Sequence, residues 1–132
     1  MRMRTVLTVN FFLATAHGLA FVLFPAFALT FYGVTTGPGE QLMGQLFGTE
    51  LLTVALLCWL GRGLADGAAL RVIGIALCVP YVVGTVVTAM ATYAGVMNVF
   101  GWLGVAIYGC LAVAYGWVLL GSSSGAPAAL ES

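Results

Sequence analysis

The chain has 132 residues, of which 62% are hydrophobic and only 6% charged, with zero formal net charge and a mean hydropathy of +1.12. A soluble domain carries about a quarter charged residues, so this chain cannot clothe itself in a water-facing surface and reads as a polytopic membrane protein. With no cluster of basic residues, nucleic acid is excluded as a partner.

Taken in order, Met1-Arg-Met-Arg4 is a basic start, followed by apolar sequence from Thr5 to Phe31. The apolar run continues well past the small residues Ala14-Thr-Ala16, so an uncleaved first span over 5–31 is expected rather than a signal peptide. Pro25 falls near its outer end, where a kink or early stop is cheapest. Tyr32 to Glu40, with Gly33, Gly37, Pro38 and Gly39, is a turn-rich loop. A second span is expected over 41–60, a polar loop over 61–70, and a third span over 71–93 with a kink at Pro80. Residues 94–98 suit only a tight connection, and a fourth span follows over 99–120. The tail, 121–132, is small and polar enough to be disordered.

The resulting fold class is all-α: an antiparallel bundle of four transmembrane helices forming one domain. Arg2, Arg4, Arg62 and Arg71 fall on one side of it, and the loops 32–40 and 94–98 contain no Lys or Arg. The positive-inside rule therefore puts both termini and the 61–70 loop in the cytoplasm. Tyr32, Trp59, Tyr93, Trp102 and Trp117 fall at span ends, where interfacial aromatics belong. Gly44-x-x-x-Gly48 and Ala112-x-x-x-Gly116 are small-residue faces suited to helix packing.

The chemistry-bearing residues share a depth. Counted at 1.5 Å per residue from the cytoplasmic edge, Glu50 and Tyr81 lie at about 15 Å and His17 and Tyr108 at about 18 Å. Each helix thus brings one hydrogen-bonding side chain to a midplane layer. Asn10 lies on the His17 face, Thr53 on the Glu50 face, and Thr85 on the Tyr81 face. A carboxyl at this depth costs roughly 2.5–3.5 kcal/mol unless a proton, partner or cavity compensates it. Glu50 is accordingly the candidate acid and His17 its candidate partner, with Tyr81, Tyr108, Asn10, Thr53 and Thr85 as candidate binding groups. Plainer readings stand beside these: core aromatics for the tyrosines, helix-to-helix glue for Gln41 and Gln45, and a helix cap for Asn98. Cys58, Cys78 and Cys110 form no C-x-x-C pair and read as small buried hydrophobes. A lone histidine gives no metal cluster, and nothing in the pattern calls for a cofactor.

The arrangement Phe24-Pro25…Tyr32-Gly33…Leu46-Phe47-Gly48-Thr49-Glu50-Leu51-Leu52 resembles uncharacterised four-helix proteins of the bacterial inner membrane. That resemblance implies a fold and a location in the bacterial cytoplasmic membrane. Chain size and a single embedded glutamate are also similar to the small multidrug resistance transporters. That family, however, carries its essential glutamate on the first span and shows little arginine bias, whereas Glu50 is on the second span here. An acid beside a histidine in a small helical bundle is similar in chemistry to the sterol isomerases, with no shared motif.

Three functions are compatible with this pattern. The first is binding of an apolar, lipid-like small molecule in a midplane cavity, with isomerisation or cyclisation driven by Glu50. The second is an accessory or scaffold subunit of a homo-oligomer or larger membrane complex. The third is proton-coupled transport.

Overall fold

The computed structural model describes residues 2–65 and 67–123. Asp66 and the tail beyond residue 123 lie outside them, and with them most of the expected disordered tail. Five helices follow one another: α1 (Met3–Leu23), α2 (Pro25–Phe31), α3 (Pro38–Gly61), α4 (Ala68–Tyr93) and α5 (Gly101–Ser123). There is no strand among the described residues. Four of the helices are long and apolar enough to cross a membrane, which marks the chain as an integral membrane protein.

Proline punctuates the first half. Pro25 has no N–H and its ring collides with the carbonyl four residues back, so α1 ends at Leu23. Phe24 takes a non-helical conformation (φ −132°, ψ 56°), and Pro25 opens α2 as its first residue. The first span is therefore two helices, not one. Pro38 opens α3 in the same way, with Glu40 in the first turn where the helix dipole favours an acid. At Pro80 the outcome differs, because α4 continues through it without interruption.

The α3 glycine face packs as its spacing predicts. A Cβ on Gly48 would lie 2.8 Å from both the Gly18 carbonyl and Phe21 Cβ, so α1 and α3 approach at backbone distance. Phe11 packs against Trp59 lower down, the rings tilted by 44°, and Arg4 donates to the Leu64 carbonyl at 3.0 Å. These contacts run in opposite senses along the two helices. The α4–α5 pair is built likewise, with Gly84 against Tyr108 and Cys78 donating to the Ala112 carbonyl at 3.7 Å. The second expected small-residue face is different: nothing lies within 4 Å of a Cβ on Gly116.

Each end of the molecule is tied. At one end the Arg62 guanidinium lies 3.4 Å over the Trp59 ring. At the other, Asn98 links both loops, because its side chain donates to the Phe31 carbonyl and its backbone N–H to that of Tyr32. Its Oδ1 accepts from the Phe100 N–H at 2.9 Å, a cap on the turn leading into α5. Gly33 adopts φ +75°, and a Cβ there would also strike Asn98, so only glycine suits this turn.

The main core (Met3, Val6, Leu7, Cys58, Leu70, Leu77, Tyr81, Leu111 and Tyr115) fills the half of the molecule near the arginines. A smaller cluster of Phe21, Ala28 and Leu29 sits under α2. Between the two lies a cavity.

Candidate functional site

Below the cavity is a polar node. Asn10 is wholly buried. Its Nδ2 donates to the Tyr115 hydroxyl at 2.8 Å, and its Oδ1 accepts from the Tyr81 hydroxyl at 2.6 Å. Having accepted from Asn10, the Tyr115 hydroxyl also meets Cys58 Sγ at 3.8 Å. Each of the four long helices contributes one member: Asn10 from α1, Cys58 from α3, Tyr81 from α4 and Tyr115 from α5. The Tyr81 and Tyr115 rings stack with centroids 5.9 Å apart, which fixes both hydroxyls toward the amide.

The cavity above holds about 140 Å³ and is lined from all four long helices, including Leu13 and Ala14 of α1, Phe47 and Leu51 of α3, and Ile107 and Leu111 of α5. Its polar groups are few. His17 Nδ1 is 3.0 Å from the Leu13 carbonyl. A carbonyl only accepts, so Nδ1 carries the proton. In the neutral ring Nε2 is then the acceptor, and the Tyr32 hydroxyl donates to it at 3.3 Å. Tyr32 follows α2, so the helix break at Phe24 is what folds the chain back to bring it over His17. Burial pushes the pKa of the Tyr32 hydroxyl above its ordinary value, because the buried phenolate would lose its hydration. Tyr81 lines the floor and leans on Tyr108, centroids 5.7 Å apart. Tyr108 also lines the cavity, and its hydroxyl has no hydrogen-bond partner among the described residues.

His17, Tyr81 and Tyr108 therefore come together as their depths predict. Asn10 contacts Tyr81 but does not line the cavity; its Nδ2 and Oδ1 each make one bond within the node. Thr85 turns its hydroxyl to the Tyr81 carbonyl at 2.7 Å and does not line the cavity. Thr53 is exposed and bonds the Thr49 carbonyl within its own helix. Glu50 departs furthest from the expected layer. It is exposed and lines none of the cavity, and its side chain makes no hydrogen bond or ion pair with another described residue. The physical reason is rotation about α3. Gly44 and Gly48 face α1, Glu50 stands about 200° from Gly48 at 100° per residue, and no helix of the chain packs on that side.

No protein-family model, curated protein or solved structure matches this chain. The site is read from its own geometry.

Sequence reasoning missed Tyr115 and Tyr32. Tyr115 stands seven residues beyond Tyr108, two helical turns along the same face, a spacing that carried the signal. Tyr32 reads from its position as an interfacial aromatic, and only the fold shows it turned toward His17. Cys58 is buried as expected, whereas Cys78 is half-buried and Cys110 exposed. Among the described residues no three His, Cys, Asp or Glu side chains gather as a metal site would require.

Proposed function

We propose that this chain is an antiparallel four-helix bundle of the bacterial cytoplasmic membrane, with both termini inside, that binds a small apolar molecule. The occupant is of single-ring size and carries one hydrogen-bond-accepting oxygen, such as a carbonyl. The observation that carries this reading is the cavity of about 140 Å³ with Tyr108 in its lining, a residue whose hydroxyl has no hydrogen-bond partner among the described residues. An apolar cavity of about 150 Å³ takes up benzene, whereas drug-sized ligands need about 300 Å³ or more. Among the other polar side chains of the lining, His17, Tyr32 and Tyr81 already donate their protons within the protein, so recognition of an oxygen falls to Tyr108, with Thr88 the other hydroxyl-bearing residue of the wall. Acid catalysis by Glu50 is not part of this reading, because its side chain does not reach the cavity.

The test is thermal unfolding in mild detergent with acetophenone or its carbonyl-free counterpart ethylbenzene. Saturating ligand at about 100 times Kd stabilises by about 2.7 kcal/mol. The wild type should be stabilised more by acetophenone than by ethylbenzene, and Tyr108→Phe should erase that difference. Leu51→Trp, which fills the cavity, should respond to neither. Equal stabilisation of wild type and Leu51→Trp would show that the compounds act through the micelle, and would end the proposal.

A further inference from the structure

The outward face of α3 carries a pattern that the cavity does not use. Met43, Leu46, Glu50, Thr53, Leu57 and Leu60 are all exposed. Their spacings alternate three and four residues along the whole span, the a/d repeat by which one helix seats against another. At the centre is Glu50, 12 residues after Pro38 and 11 before Gly61. A mid-span carboxyl faces a protein interior, a polar cavity or a partner rather than lipid. Here the first two are closed off, since Glu50 reaches neither the core nor the cavity.

A second copy of the chain does not supply the missing charge. Its only cationic side chains are four arginines and His17. Arg2, Arg4, Arg62 and Arg71 stand at helix ends or in the loop between them. His17 is held inside by the Leu13 carbonyl and Tyr32. Two copies inserted in the same sense and joined through this stripe would instead set Glu50 against Glu50 at equal depth, and like charges repel. Thr49 and Thr53 offer little competition for a cation, since both hydroxyls already serve their own helix backbone.

We infer that this stripe is the docking seam for a membrane-spanning helix of another protein, one carrying a Lys, Arg or His opposite Glu50 at mid-membrane. The apolar residues at the other seam positions supply the packing, and the carboxyl selects the partner by its charge. The seam lies outside the cavity and does not depend on what the cavity binds.

The test uses the full chain reconstituted in phosphatidylcholine vesicles with a synthetic single-span Leu/Ala peptide bearing one central Lys. Association is read by energy transfer against the same peptide with Leu at that position. The Lys peptide should bind the wild type roughly tenfold more tightly than it binds Glu50→Gln. The Leu peptide should not distinguish the two. Leu46→Ala/Leu57→Ala should weaken the Lys peptide while leaving Glu50 intact, which reports on the seam rather than on charge alone. Glu50→Gln is exposed and should keep the wild-type helix content, verified by circular dichroism. Equal binding of both peptides to the wild type, or undiminished binding of the Lys peptide to Glu50→Gln, would overturn the proposal. So would self-association of the chain that Glu50→Gln abolishes, because it would assign the seam to a second copy.

Discussion

Asn10 and Tyr115 stand 105 residues apart in the chain and meet at 2.8 Å, amide to hydroxyl. The bond closes the first helix onto the last, and through the second half of the same amide it reaches Tyr81 on α4. One short side chain thus sets the rotation of three helices, in a region where an apolar side chain alone would tolerate several.

Replacing Asn10 by Leu should therefore cost more than its size suggests. Interhelical hydrogen bonds in membranes average about 0.6 kcal/mol and reach about 1.7, and the substitution strands two buried hydroxyls at once. The expected loss is about 1–2 kcal/mol, measured by reversible unfolding in mixed micelles. Asn10→Ala and Tyr115→Phe should be non-additive together, since either alone breaks the same bond.

Tyr81 and Tyr108 offer a sharper comparison, because their rings touch while their hydroxyls differ in employment. Tyr81→Phe should destabilise by about 1 kcal/mol in the absence of any ligand. Tyr108→Phe should be close to neutral, because its hydroxyl holds no partner among the described residues. Equal costs for the two would mean that the Tyr108 hydroxyl is bonded within the protein.

Gly48 and Gly116 make a pair of opposite sign. A methyl group on Gly48 would press on the Gly18 carbonyl and the Phe21 Cβ at 2.8 Å, whereas one on Gly116 meets open space. Gly48→Ala should destabilise by about 1–3 kcal/mol through forced separation of α1 and α3. Gly116→Ala should be neutral or slightly stabilising, by up to about 1 kcal/mol, since Ala is the better helix former.

Tyr32 predicts an alkaline limit. Burial holds its ionisation above the ordinary value of 10.0, so above that pH the unfolded chain releases the proton while the folded chain retains it. Its contribution is complete below pH 10 and is lost as pH rises through the folded-state value. Between about pH 9 and 11.5, wild type should lose more thermal stability than Tyr32→Phe does. Parallel losses in the two proteins would assign the alkaline limit elsewhere.

Depth along a helix could be counted from the residues, but rotation could not. Counting placed His17, Tyr81 and Tyr108 at one level, and the fold brings them to one cavity. The same count placed Glu50 at that level too, yet its azimuth was set by how Gly44 and Gly48 seat on α1. Small residues declare which side packs without declaring what lies behind. With only four long helices, the side opposite a packed face is more often open than covered. The Pro25 break was legible for the reason it occurs, a missing N–H and a ring clash. What the break accomplishes, turning Tyr32 over His17, depends on the Asn98 ties across the loops and left no local mark.

The pairing of α1 with α3 and of α4 with α5 has a consequence for how the chain can be divided. Residues 2–65 and 67–123 each contain one glycine-tightened pair of long helices, and the connection between them is short. Two polypeptides cut at that connection should insert independently and find each other in the bilayer. The Asn10 amide would then act as the clasp that tells each half when it has met the other.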